Sequence, residues 1–333
     1  AIANTLDVDA GDTLDILSGR VATLNKTSGS TLTLDGTING SGRLDYKTST
    51  AFPTTGTIDS NLRFDSSSNN QTMSARTYGG NVEVFNSGAL SNRTVTLDNG
   101  TVNVTGSLYL NADDTTNITL DGSSNNPALN VTGDLDFIGT GLGNEIHDPG
   151  EQTITVSGDV NFSDGSFNTG GGSTLQMNGT GKTLTLGGNS LEKFNVTGGN
   201  VSLGDALDIS NDLSIDLGTF NTSGNDINIA GSWNNDSTFT HGNAKVTFDS
   251  TNTGETIESG ASAFYDVEFN HVNGGWTTQT DNVTVANDLD LTNASAFIVE
   301  SGRTVEVQGN FTNAVGGANT TWTGSTLYLN DTS

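Results

Sequence analysis

The chain has 333 residues, 32% of them hydrophobic and 15% charged, with 43 glycines, 3 prolines and no cysteine. This excludes collagen, which needs a Gly-X-Y period and abundant proline. It also excludes disulfides and thiolate ligands, and no apolar run reaches transmembrane length, so no membrane insertion is expected within this segment. The formal net charge of −27, from 38 acidic and 11 basic residues, argues against nucleic acid as a partner, since that requires a basic footprint.

Polar chains of this kind are prone to disorder, but here the apolar residues alternate in short runs, which predicts strands. In chain order the clearest are Leu62-Arg63-Phe64-Asp65, Val95-Thr96-Leu97, Val102-Asn103-Val104, Ile118-Thr119-Leu120, Leu184-Thr185-Leu186, Ile227-Asn228-Ile229, Val283-Thr284-Val285 and Val305-Glu306-Val307. Each ends at or near Gly, Asn, Asp or Ser, and no stretch shows a capped 3.6-residue period. The expected class is all-β.

The strands belong to longer copies. Gly158-Asp159-Val160, Gly231-Ser232-Trp233 and Gly309-Asn310-Phe311 each follow an apolar-x-apolar triplet. Leu175-Gln176-Met177, Val246-Thr247-Phe248 and Leu327-Tyr328-Leu329 come a little later, and Asn211-Asp212-Leu213-Ser214-Ile215 matches Asn287-Asp288-Leu289-Asp290-Leu291. The copies lie roughly 70–80 residues apart, read as a unit of three or four rungs of roughly 20–25 residues. The organisation expected is residues 1–153 as diverged rungs, 154–230 and 231–308 as repeat units, and 309–333 as the start of a further one, in one continuous parallel β-solenoid. Neither end carries an obvious polar cap, which suits a segment of a longer protein or a subunit whose open ends stack on neighbours. An export signal, if there is one, is expected upstream or already removed. The alternative is a row of tandem β-sandwich domains, but the core aromatics and tyrosine corner of that fold are not identifiable. In a rung, Leu184, Leu186, Phe194, Val196, Val201 and Leu203 face inward, Gly and Asn form the corners, and Asn amides ladder from rung to rung.

On Gly231-Ser232-Trp233-Asn234-Asn235, Thr238-Phe239, Lys245-Val246-Thr247-Phe248-Asp249, Gly274-Gly275-Trp276 and Val283-Thr284-Val285-Ala286-Asn287-Asp288-Leu289, the sequence resembles bacterial and archaeal cell-surface proteins with right-handed β-helical arrays, the adhesins and autotransporter passengers. The resemblance covers residues 154–333 well and the first half loosely. It implies export, surface display and no catalytic residues.

The candidates for chemistry are few. His147, His241 and His271 lack metal-ligand spacing and read as exposed loop histidines. Carboxylates for a glycosidase pair are available at Asp113-Asp114, Asp205, Asp208, Asp212 and Asp216, yet acids are too common here to be informative. The basic residues, Arg63, Arg76, Arg93, Lys182, Lys193, Lys245 and Arg303 among them, read as dispersed. No enzyme is expected. No cofactor is expected either, with Ca²⁺ as the one candidate, on Asp7, Asp9 and Asp12 or on Glu145, Asp148 and Glu151. Solvated acidic turns are the favoured reading of both loops. About nineteen Asn-x-Ser/Thr sequons are present, among them Asn25, Asn92, Asn117, Asn161, Asn178, Asn195, Asn235, Asn282, Asn293 and Asn319, as acceptors of glycans or as a by-product of strand alternation. Trp233 and Trp322 are expected inside, and Trp276 exposed. The function expected is that of an extracellular structural rod, fibre or sheath component, with end-to-end self-assembly as an option. The alternative is an adhesin stalk binding glycans or a host surface, and a carbohydrate-active β-helix enzyme stands behind both.

Overall fold

The computed structural model describes residues 5–24, 31–65, 70–86, 91–112, 116–139 and 144–330. Among these there is no helix. The protein is a right-handed parallel β-solenoid of about 14 turns. Parallel pairing of each strand with its counterpart one turn on rules out tandem sandwiches, whose sheets are antiparallel. The chain forms two compact units, Ala1–Ser173 and Thr174–Ser333.

Each turn has three sides. In unit 1 one turn runs Thr101–Val104, Leu108–Ala112, Ile118–Asp121, and the next runs Ala128–Val131, Leu135–Phe137, Glu145–Asp148. Strands this short arise because the alternating runs hold only two or three inward residues before a corner. On the second side Leu62, Val82, Leu108, Leu135 and Val160 stack in register, all within 1% exposure. Each such side chain contributes about 1.5–3 kcal/mol by leaving water.

The corners explain the recurring Gly-Asx dipeptides. Gly80, Gly106, Gly133 and Gly158 form a column in which the turns touch. A Cβ on Gly158 would lie 2.2 Å from the Gly133 carbonyl oxygen, and one on Gly133 would lie 2.7 Å from the Gly106 carbonyl carbon. The next residue closes the corner with its side chain. The Asn81 amide donates to Asn61 Oδ1 (3.0 Å), Ser107 to Asn81 Oδ1 (2.9 Å), Asp134 to Ser107 Oγ (3.0 Å) and Asp159 to Asp134 Oδ1 (2.9 Å). Where the backbone bends away from its ladder, a short polar side chain supplies the acceptor that the N–H group needs.

Unit 2 uses the same corner. Ser232 donates to Asp212 Oδ1 (3.0 Å), Asp288 to Asp266 Oδ1 (3.0 Å) and Asn310 to Asp288 Oδ1 (2.8 Å). Turn length varies: the register Phe194↔Leu213 sets 19 residues, and in unit 1 Leu108↔Leu135 sets 27. Leu184, Leu186, Phe194, Val196, Val201 and Leu203 all point inward. Amide ladders form at Asn130–Asn103 (2.8 Å) in unit 1 and at Asn293–Asn270 (3.0 Å) in unit 2.

The sequence copies do not mark equivalent places in the solenoid. Within unit 2, Leu175 pairs with Phe194 on the first side, Val246 with Ile227 and Val267 on the third, and Leu327 with Val305 on the second. Trp233 follows Leu213, whereas Phe311 follows Leu289 on a different side. The motif therefore describes a corner and the strand after it, and every side of the triangle takes it. The strand Asp266–Thr278 rounds a corner without a break, pairing first with Lys245–Phe248 and then with Thr253–Glu258.

Candidate functional site

The outer surface of the second side of unit 1 gathers charged groups that the sequence scatters. Successive turns place Asp45, Arg63, Glu83, Tyr109, Asp136 and Asn161 in one outward column. Arg43, Asn61 and Asn81 flank it at the corner, and Lys47, Asp65, Phe85 and Asn111 lie towards the opposite edge. Arg43 Nε lies 2.6 Å from Asp45 Oδ1, Arg63 Nε 2.7 Å from Glu83 Oε2, and Lys47 Nζ 2.6 Å from Asp65 Oδ2. Asn111 Nδ2 donates to Glu83 Oε1 at 2.8 Å. The Arg63 guanidinium covers the Phe85 ring, 3.9 Å from its centroid, which buries Phe85 on the outside of the sheet. Arg43, Asn61, Leu62, Asn81, Glu83 and Tyr109 line a hollow of about 170 Å³. Burial raises the Asp136 carboxyl above its ordinary value, opposed by a hydrogen bond from Asn161 Nδ2 at 3.0 Å.

The dispersed reading of the basic residues is therefore corrected for this face, where Arg43, Lys47 and Arg63 each meet a carboxylate. Arg43, Asp45, Lys47, Glu83 and Tyr109 were not singled out from the sequence. The signal was their spacing: Arg43, Arg63 and Glu83 stand 20 residues apart, close to one turn.

Neither calcium triad is brought together as three ligands, and among the described residues no three His, Cys, Asp or Glu side chains form a possible metal cage. Asp7, Asp9 and Asp12 are exposed, as is Glu151, and Asp148 is half-buried. Glu145 is not in a solvated loop. It is fully buried, facing inward in register with Ile118, and its Oε1 accepts the Ala112 amide at 2.6 Å. Burial raises its carboxyl above the ordinary range. Among the glycosidase candidates, Asp113-Asp114 lie outside the described residues. Asp205 caps a corner, accepting from the Leu186 and Gly187 amides at 2.8 and 2.6 Å.

The histidine expectation is corrected for His147, which is wholly buried between Leu120 and Phe167 in one inward column. Its Nε2 lies 3.0 Å from Gln152 Oε1, and its ring meets Phe167 edge-on at 5.5 Å. His147 Nδ1, Gln152 Nε2 and Glu145 Oε2 are buried without hydrogen-bond partners. Burial pushes the His147 imidazole down to about 4, against weaker opposing effects of Gln152 and Asp121. His241 and His271 are half-buried, and His241 stacks on Tyr265 at 5.5 Å.

Trp276, expected outside, is 1% exposed and packs 5.1 Å from Phe269, because Gly274-Gly275 lies inside a strand rather than a loop. Trp233 is fully buried and Trp322 half-buried against Phe297 and Phe311.

The sequon asparagines divide by environment. Asn25 lies outside the described residues. The Asn235 side chain is buried, with Nδ2 donating to Ser259 O at 2.7 Å, so a glycan has no room there in this fold, and that candidate is corrected. Asn161, Asn293 and Asn319 also spend Nδ2, on Asp136, Asn270 and the Ala294 carbonyl. Asn92, Asn117 and Asn282 hold the next turn through Oδ1, accepting the amides of Asn117, Asn144 and Thr304. Asn178 is exposed and Asn195 half-buried. Comparison with protein family models, with curated proteins and with solved structures finds no match for this chain.

Proposed function

We propose that this chain is a structural protein of the cell exterior, in which stacked turns carry the load and no chemical step is performed. The observation behind this reading is where the polar side chains spend their hydrogen bonds. At corner after corner an Asn, Asp or Ser is committed to the amide of the following turn, as in the run Asn61, Asn81, Ser107, Asp134. Such cross-turn bonds and the close glycine columns beneath them favour cohesion between neighbouring turns. They do so without cysteine, so this cohesion does not depend on disulfides. The high negative charge keeps such a surface soluble.

The test is labelling of intact cells of the source organism with a membrane-impermeant amine reagent. Lys245, half-buried with 44% of its side chain accessible and its amine 2.9 Å from Glu268 Oε2, is the reporter. Labelling of Lys245 in intact cells is the expected result, and labelling only after lysis would sink the proposal.

A further inference from the structure

The stacking role leaves one face unexplained, the outward column on the second side of unit 1. We infer that this face binds an uncharged oligosaccharide laid along the stacking axis. The spacing points to a periodic ligand. Equivalent side chains recur once per turn, about 4.8 Å apart, close to the length of one sugar in an extended chain. Arg63, Glu83, Tyr109, Asp136 and Asn161 stand at that interval over five consecutive turns.

The chemistry points to hydroxyls. Arg43 is held from one side by Asp45, through Nε at 2.6 Å and Nη2 at 3.5 Å. Its Nη1 stands 3.8 Å from Glu83 Oε2, too far for a direct hydrogen bond. One hydroxyl oxygen between them accepts from the guanidinium and donates to the carboxylate, as a bridging water would. Tyr109 is half-buried on the same wall and offers a ring for the C–H face of a sugar, with a hydroxyl at its tip. The hollow between them, about 170 Å³, has the size of a single sugar ring.

The charge selects against ions. Arg43 and Arg63 are balanced by Asp45 and Glu83 at the hollow, and Asp136 adds a further carboxylate along the column, in a chain that carries −27 overall. An anionic chain meets that field unfavourably, and a neutral polyol does not.

The experiment titrates the purified full chain calorimetrically with uncharged hexose and N-acetylhexosamine oligomers, and with uronic-acid oligomers for comparison. At least one neutral series should bind, more tightly as the oligomer lengthens. Tyr109→Ala should weaken that binding about tenfold, the equivalent of about 1.4 kcal/mol, and Arg43→Met should do the same. Thr119→Ala, outward on the third side, should leave it unchanged. Unaltered far-ultraviolet circular dichroism confirms folding of each variant. The inference is overturned if no neutral oligomer binds, if uronic-acid oligomers bind better, or if folded Tyr109→Ala and Arg43→Met both bind like the parent. Binding by the purified chain does not depend on where it resides, so failure here leaves the structural proposal standing, and the reverse also holds.

Discussion

Acid should loosen unit 1 at one identifiable residue. His147 occupies an inward position of the third side, fully buried, with Gln152 as its hydrogen-bond partner. Its imidazole titrates at about 4 in the fold, where burial disfavours the cation, and at about 6.5 once exposed. The unfolded chain therefore takes up the proton first. Stability from this residue is complete above about 6.5 and drains as pH falls towards about 4. At 1.36 kcal/mol per pKa unit the loss is about 3 kcal/mol. Glu145 acts in the opposite sense. Its raised carboxyl takes up a proton more readily in the fold, so it restores stability as pH falls. A wild-type profile alone mixes the two. The clean measurement compares wild type with His147→Phe, whose ring suits the stack on Phe167. That variant leaves Gln152 unpaired at every pH, a constant cost that cancels in the pH slope. Urea unfolding followed by far-ultraviolet circular dichroism, with hydrogen exchange at amides 145–148 and 150–152, gives both curves. A steeper acid loss in wild type by about 3 kcal/mol is expected. Parallel curves, or an imidazole resonance titrating near 6.5, would refute the reasoning.

Three further outcomes are expected. Trp233→Ala, removing a buried ring 4.8 Å from Phe239 and 5.1 Å from Phe264, should cost about 3–5 kcal/mol. Urea unfolding followed by the remaining tryptophan fluorescence measures this, and a loss below about 1 kcal/mol would contradict close packing there. Gly231→Ala drives a methyl to 2.4 Å from the Asn211 carbonyl and should cost about 1–3 kcal/mol. Gly302→Ala, at φ +83 with open space around it, should cost only about 1 kcal/mol of backbone strain. Thermal melts of the pair distinguish contact from conformation. Asn235→Ala orphans the Ser237 amide and the Ser259 carbonyl and should cost about 1–3 kcal/mol. Asn282→Ala frees only the amide of Thr304 at an exposed corner, where water replaces the acceptor, and should change stability by less than about 0.5 kcal/mol. Equal losses in these two would mean that burial does not set the difference.

The stack was legible because alternation and corner chemistry are local. Leu184, Leu186, Phe194 and Val196 declare their inward faces from the spacing of apolar residues alone, and Gly-Asx pairs announce the bends. The side on which a strand falls was not legible, because all three sides ask for the same residues. The stretch Glu145-Ile146-His147-Asp148 shows where the rule fails. Its single apolar residue, Ile146, lies half-buried while Glu145 and His147 turn inward. Register with Ile118 and Leu120 in the preceding turn decides this, not residue type. Trp276 was misplaced because paired glycines usually signal a loop, and here they let a strand round a corner. The charged face was hidden by variable turn length. Arg63 and Glu83 lie 20 residues apart but Glu83 and Tyr109 lie 26, so the 20-residue spacing that links Arg43, Arg63 and Glu83 does not extend to Tyr109.

Because the triangle accepts one corner-and-strand segment at any of its sides, the interior is indifferent to phase and the exterior is not. Removing or adding one such segment leaves apolar residues facing in, yet it swings every later outward side chain by a third of a revolution. Length and display are thereby uncoupled. Lineages can re-aim a whole surface by a short in-frame duplication or loss, without redesigning the packing beneath it.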